Sequence, residues 1–237
     1  MTRLDQALVE RGLAESRNIA QTLIKEGHIQ VDGTVLKKPA AKVDATNQIK
    51  RLIDKVYVGR AALKLKAFLA HHKVEIKDKK ALDIGASTGG FTEILLEEGA
   101  SEVVAVDVGR DQLHPRIKAN EKVISIEEQD IRTFQSPAFE LVTCDVSFIS
   151  IHNILEAIDR LSSDTIIILF KPQFEVGNVV KRNRAGVVTD EKAIQSAKQK
   201  FEDVTKSLGW KLIVSTPSQL EGKEGNIEQF YQFRKDS

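Results

Sequence analysis

The sequence predicts an α/β fold, a mostly parallel sheet with helices on both faces, preceded by a small α+β unit. From residue 61 onward, short apolar stretches alternate with longer amphipathic ones, as in strands that are joined by crossover helices. Before that point the apolar stretches are shorter, and an Asp-Gly turn separates two of them. The length of 237 residues leaves room for one or two domains.

The front unit is predicted to hold two short helices and a small sheet. Apolar residues at helical spacing favour a first helix that closes near Gly12 and a second one that Ser16 caps and Gly27 ends. A hairpin over 28–36 and an apolar pair at 49–52 complete it. We expect a domain at 1–53, a linker at 54–60 and a second domain at 61–237.

The second domain is predicted to alternate between strands and helices. The expected strands cover 81–84, 103–107, 123–126, 141–145, 166–171, 212–215 and 230–233, and the expected helices cover 61–68, 91–96, 151–161 and 191–208. Only a short loop precedes the last strand, so we expect that strand to run antiparallel.

Composition and charge exclude several classes of protein. The net charge is +1, but residues 1–60 carry +4 and the rest −3, which indicates a polyanion-binding front unit. The single cysteine, Cys144, excludes an intrachain disulfide and a cysteine zinc cluster, and we predict no metal site. The N-terminus does not read as a signal peptide, and the longest apolar run is far shorter than a membrane span. We therefore expect a cytoplasmic protein without a membrane partner.

A glycine-rich turn at 83–91 follows the first strand of the second domain and opens a helix. Such a turn lets a ligand approach backbone N–H donors, and Asp107, at the end of the next strand, is suited to ribose hydroxyls. Three chemistries compete for it, namely dinucleotide binding, a hydrolase elbow and S-adenosylmethionine binding. Ser87 breaks the dinucleotide pattern, and no late histidine serves a hydrolase. A turn that only packs helix against strand remains the structural alternative.

Polar residues end two further strands. Asp145 follows one predicted strand and Lys171 follows the next, and ligands of open α/β sheets bind at the carboxyl ends of strands. We predict that Lys171 is partly desolvated there, which favours the neutral amine that can accept a proton. A lysine that only caps its strand is the alternative.

The chain resembles the TlyA group, often labelled haemolysin A, within the FtsJ-like RNA methyltransferases. The similar segments include an S4-like front, with 3–8 and 24–33, and the motifs at 83–92, 145–150, 171–175 and 225–228. The fold implied is a Rossmann-like S-adenosylmethionine-dependent methyltransferase sheet with an N-terminal α+β S4 domain. Three positions depart from the common linker pattern, where Gly59 replaces serine and Ala61-Ala62 replaces a glycine pair.

The resemblance implies 2′-O-methylation of ribosomal RNA, with cytidine in the large subunit as the target. The catalytic tetrad that it implies is Lys64, Asp145, Lys171 and Glu228. S-adenosylmethionine would be held by Asp83, Gly85, Ala86, Ser87, Thr88, Gly89, Gly90, Phe91, Asp107, Val108, Asp130 and Ile131, with Asp107 at the ribose and Asp130 at the adenine amino group. No metal is needed.

Binding of rRNA is expected to use basic side chains that contact phosphates. The candidates are Arg3, Arg11, Arg17, Lys25, Lys37, Lys38, Lys42, Arg60, Lys181 and Arg182. Two other functions remain open at this stage, a non-catalytic RNA-binding or ribosome-assembly protein and a membrane-active haemolysin.

Overall fold

The computed structural model describes residues 1–53 and 55–235. The chain forms two compact units, one from Met1 to Val56 and one from Tyr57 onward. The predicted domain boundary at 53 and linker at 54–60 stay predictions. Asp54, Asp236 and Ser237, on which those ranges partly fall, lie outside the described residues.

The front unit contains two helices and two small sheets. Its elements are β1 (Thr2–Arg3), α1 (Leu4–Glu10), α2 (Arg17–Lys25), β2 (Ile29–Val31), β3 (Thr34–Val35), β4 (Lys42–Val43) and β5 (Ile49–Arg51). Strand β2 pairs antiparallel with both β3 and β5, and β1 pairs with β4.

Local chemistry explains the ends of these elements. The Ser16 side chain accepts a hydrogen bond from the Ile19 N–H at 3.3 Å and so caps α2, as predicted. The hairpin turns at Asp32 and Gly33, both with positive φ, a backbone conformation suited to Asp-Gly. The predicted helices, hairpin and β5 are confirmed, whereas β1 and β4 were not predicted.

The second unit is built on one seven-stranded sheet. Its strands are β6 (Lys80–Ile84), β7 (Glu102–Val106), β8 (Val123–Ile126), β9 (Phe139–Cys144), β10 (Ser162–Phe170), β11 (Trp210–Pro217) and β12 (Gln229–Lys235), and its helices are α3 (Arg60–His71), α4 (Gly90–Glu97), α5 (Pro115–Lys118), α6 (Leu155–Leu161), α7 (Pro172–Glu175) and α8 (Glu191–Ser207). A 3-10 helix over Ile151–Ile154 precedes α6, so the predicted helix 151–161 is two elements.

The strand order is β11-β12-β10-β9-β6-β7-β8, and β12 runs antiparallel to both of its neighbours. The pairs among β10, β9, β6, β7 and β8 are parallel. The predicted mostly parallel sheet and its reversed last strand are therefore confirmed. Because β12 is reversed, it begins at the edge where the parallel strands end.

Two apolar cores cover the two faces of this sheet. One packs α6 and α8 against one face, with Ile158, Ile168 and Phe201 at its centre. The other packs α3 and α4 against the opposite face, with Leu65 and Ile94. Within the described residues, no helix is long and apolar enough to cross a membrane.

Candidate active site

Four strands place their ends side by side at one edge of the sheet. Ile84, the last residue of β6, pairs with Cys144, the last of β9. Phe170, the last of β10, pairs with Gln229, the first of β12. The residues just beyond these ends therefore meet, namely Gly85, Asp145, Lys171 and, just before β12, Glu228.

Lys171 and Asp145 form a buried ion pair. Lys171 Nζ lies 2.7 Å from Asp145 Oδ1, and both side chains are nearly inaccessible to solvent. Lys171 Nζ also donates a hydrogen bond to Ser147 Oγ at 2.7 Å. The contact with Asp145 lacks hydrogen-bond alignment, so Asp145 Oδ1 is a buried acceptor without an aligned donor. Such an atom is expected to take a donor from a ligand.

Lys64 and Glu228 form a second pair beside the first. Helix α3 carries Lys64, whose Nζ donates to Glu228 Oε2 at 2.5 Å, and the Glu228 side chain is 3% exposed. These residues are 164 positions apart in the chain. Ion pairs this deeply buried recover their desolvation cost only in good geometry, and removing one partner is strongly destabilising.

A cavity of about 420 Å³, here called the lysine cavity, joins both pairs to the glycine-rich turn. Its wall includes Lys64, Lys171, Asp145 and Ser147. The predicted cofactor residues that line it are Gly85, Ala86, Ser87, Thr88, Gly90 and Phe91, and two cations, Arg60 and Lys223, complete the rim. The structure thus brings the predicted tetrad together, with Glu228 reaching the cavity through Lys64.

The turn approaches its neighbours too closely for a side chain at Gly85. Gly85 has φ +76°, and an added Cβ would lie 3.0 Å from the Asp145 carbonyl oxygen. Asp107 fixes the turn from the next strand, since its carboxylate accepts from the Ser87 and Gly109 N–H groups, each at 2.7 Å. The conformation of the turn is therefore fixed by the positive φ of Gly85 and by the Asp107 carboxylate.

A second cavity of about 530 Å³, the aspartate cavity, adjoins the first and shares Gly85, Ser87, Asp145 and Ser147 with it. It is lined by four predicted cofactor residues, Asp107, Val108, Asp130 and Ile131. The Arg132 guanidinium bonds Asp130 and lowers the pKa of that carboxyl. Two neighbouring cavities with carboxylates in one and lysines in the other can hold a bipartite ligand.

Asp83 and Gly89 line neither of these two cavities. Asp83 is fully buried, and its two oxygens accept from the hydroxyls of Thr92 at 2.7 Å and Thr143 at 2.9 Å. Burial raises the pKa of Asp83 to about 6. An added Cβ at Gly89 would lie 2.8 Å from Leu113. Asp83 and Gly89 therefore support the turn without lining a cavity, whereas we predicted that both would contact the cofactor directly.

The predicted RNA-binding residues fall into two groups. Four arginines are engaged within the protein: Arg3 and Arg17 bond Asp5, Arg11 donates to the Asp44 and Asn47 carbonyls, and Arg182 donates to the Gln173 and Gly177 carbonyls. Arg60 is exposed and makes one long contact, 3.4 Å, to the Glu221 carbonyl. The predicted lysines are exposed, and among the described residues no side-chain partner is recorded for Lys25, Lys37, Lys38, Lys42 or Lys181.

Several residues at this site were not predicted. Ser147 and Phe148 lie in the loop after β9, and Phe148 is 93% exposed at the rim of the aspartate cavity. Lys223 reaches the lysine cavity from the loop before β12. Glu175 bonds the loop after β9 from α7. The motifs at 145–150 and 171–175 contained three of these residues, but only the fold assigns their contacts.

Known proteins match the chain in two segments. The FtsJ-like methyltransferase family matches residues 57–235, and the S4 domain matches residues 2–49. The "23S rRNA (cytidine-2'-O)-methyltransferase TlyA" of Campylobacter jejuni is 45% identical over 96% of this chain and 98% of the relative. The "16S/23S rRNA (cytidine-2'-O)-methyltransferase TlyA" of Mycobacterium tuberculosis is 37% identical over 98% of this chain and 89% of the relative.

A solved structure gives the same result for the fold. A Streptococcus thermophilus protein, provisionally named a hemolysin, is 32% identical and superimposes with a TM-score of 0.75. The match covers 100% of this chain and 89% of that one.

Proposed function

The chain belongs to the FtsJ-like methyltransferase family, in the TlyA group that joins this fold to an S4 domain, and we propose that it methylates the 2′-oxygen of a ribose in ribosomal RNA. The names of two relatives specify cytidine, and both include 23S rRNA, so we propose a cytidine of the large-subunit rRNA as the target. Such a substrate would be met in the cytoplasm. The observation that carries the proposal is the meeting of two lysine–carboxylate pairs at one cavity beside the glycine-rich turn.

The proposed methyl donor is S-adenosylmethionine, and the two cavities fit its two ends. Their volumes, about 420 and 530 Å³, are typical of small-molecule sites. Gly85 lets the turn pack against the Asp145 carbonyl, where a Cβ would clash, and the turn lines the lysine cavity, so its backbone groups can approach the methionine end. Asp107 and Asp130 offer acceptors for the ribose and the adenine amino group in the aspartate cavity. When bound, the donor supplies a methyl group on a positively charged sulfur.

The tetrad is proposed to prepare the ribose hydroxyl for in-line attack. Lys171 Nζ would hold the 2′-oxygen by donating a hydrogen bond to it, and the hydroxyl proton would pass to Asp145 Oδ1 as the new O–C bond forms and the S–C bond breaks. Asp145 Oδ1 is suited to this because it has no aligned donor. Lys64, held by Glu228, would place a second positive charge beside the hydroxyl or the adjacent phosphate.

Binding of the RNA is assigned to the exposed lysines of the front unit and to the cations at the cavity rim. Lys37, Lys38 and Lys42 would contact phosphates, which supply affinity and salt dependence rather than choice of sequence. Arg60 and Lys223 line the lysine cavity and would contact phosphates next to the target ribose. The arginines that bond within the front unit are expected to contribute less.

Methyl transfer from labelled S-adenosylmethionine into purified ribosomal subunits tests the proposal. We expect incorporation by the wild type, loss with Lys171→Ala and full activity with Lys192→Ala, an exposed lysine on α8. The product should carry a 2′-O-methyl group, which blocks alkaline cleavage at that nucleotide. Binding of rRNA without methylation would indicate a non-catalytic RNA-binding protein, and leakage of liposomes treated with pure protein would instead support a haemolysin.

A further inference from the structure

We propose that Glu175 is a positioning residue for methyl transfer, because it holds the loop that carries Asp145 and Ser147 against the loop that carries Lys171. This inference rests on the proposed function, since it assigns to Glu175 an effect on that same site. Glu175 belongs to the motif at 171–175, but the sequence pattern alone assigns no role to it.

Glu175 makes two hydrogen bonds to the end of the loop after β9. Its Oε1 accepts from the Ile151 N–H at 2.8 Å, and its Oε2 accepts from Ser150 Oγ at 2.7 Å. Ile151 begins the 3-10 helix, whose first N–H groups have no partner within that helix. The carboxylate therefore caps this helix from a different element, the single turn α7.

The loop between Asp145 and Ser150 is strained at Phe148. This residue has φ +65°, a left-handed conformation that is costly for a bulky side chain, at roughly 1–3 kcal/mol. Such a conformation persists only when surrounding contacts enforce it. The Phe148 ring itself is 93% exposed and contacts Phe174, with 5.4 Å between the ring centroids. The strain must therefore be held mainly by bonds at the two ends of the loop.

One segment, Lys171 to Glu175, supplies side-chain contacts to both ends, and the near end is also bonded to β6, where the Asp145 N–H donates to the Ile84 carbonyl at 3.0 Å. At the near end Lys171 contacts Asp145 and Ser147, each at 2.7 Å. At the far end Glu175 bonds Ser150 and Ile151. Because α7 is a single turn that directly follows Lys171 and ends at Glu175, one short segment contacts both ends of the loop. Loss of the far end would free the loop to relax and would shift Asp145 relative to Lys171.

The experiment measures single-turnover methyl transfer at saturating S-adenosylmethionine and RNA. For Glu175→Ala we expect the rate to fall about tenfold or more, because small misplacement of reacting groups is costly. RNA affinity should stay near that of the wild type, since the exposed lysines are untouched. Glu175→Gln keeps an acceptor for the Ile151 N–H and should restore most of the rate. The matched control is Glu156→Ala, an exposed glutamate in the first turn of α6.

A purely structural role would lower the fraction of folded protein without changing the rate per folded molecule. The rate is therefore normalised to the folded fraction from urea unfolding. If Glu175→Ala does not fold, Ser150→Ala removes the hydrogen bond to Glu175, together with the one that Ser150 Oγ accepts from the His152 N–H, and should give a smaller loss of rate. The double variant Ser150→Ala, Glu175→Gln should lose no more than Ser150→Ala alone. The inference would be overturned if Glu175→Ala kept the wild-type rate per folded molecule. If Glu175→Ala does not fold, a wild-type rate in Ser150→Ala would overturn it. Inactivity of the wild type would instead contradict the proposed function.

Discussion

Replacing Asp83 with asparagine should change how the free energy of unfolding depends on pH. Burial raises the pKa of Asp83 from its ordinary 3.8 to about 6 in the folded protein. Between these values the folded state keeps a proton that the unfolded chain has lost. The contribution of Asp83 to the free energy of unfolding is therefore fully present below pH 4 and is lost as the pH rises through 6. Two pKa units correspond to about 3 kcal/mol.

The assay is urea unfolding of the wild type and Asp83→Asn between about pH 4 and 7. Other carboxyls titrate in both proteins, so the difference between the two curves isolates Asp83. We expect the wild type to lose about 3 kcal/mol relative to the variant across this range. The exposed Asp203→Asn serves as the control. Curves for Asp83→Asn and the wild type that stay parallel would refute the reasoning, because they would mean that Asp83 ionises alike in both states.

Three further predictions concern stability and cofactor binding. Glu228→Ala should lower the free energy of unfolding by about 3–5 kcal/mol in urea, because it leaves the Lys64 ammonium buried without a counter-charge; a loss below about 1 kcal/mol would contradict this. Gly85→Ala should weaken binding of S-adenosylmethionine in calorimetry, because its Cβ would lie 3.0 Å from the Asp145 carbonyl oxygen and would displace the turn, and unchanged affinity would contradict the proposed role of the turn in binding the methionine end. Ser16→Ala should cost about 1 kcal/mol in unfolding of the front unit, and an unchanged midpoint would show that the cap is not needed.

Much of the second unit could be predicted because its central strands are buried on both faces. Such strands read as continuous apolar runs, as in Ile166 to Phe170, and they leave little ambiguity. The short elements were missed for physical reasons. Strands β1 and β4 are two residues long and depend on the non-local pair Thr2 with Val43, and α5 and α7 are single turns that begin at prolines.

The sequence pattern likewise predicts some residues of the candidate site and misses others. The strand-end rule is enough to single out Asp145 and Lys171, because each follows a recognisable strand. Lys64 and Glu228 came only from family resemblance, since no local pattern relates residues 164 positions apart. The supporting roles of Asp83 and Glu175 depend on two hydrogen bonds each, and these become visible only in the folded chain.

The reversed direction of β12 has a consequence for how the enzyme is made. Glu228 stands at the start of this strand and so reaches the pocket only when the final strand has docked between β10 and β11. A chain that ends ahead of Glu228 lacks the acid that neutralises Lys64. The site is therefore complete only when β12 has paired, although Lys64, Asp145 and Lys171 all precede that strand in the chain.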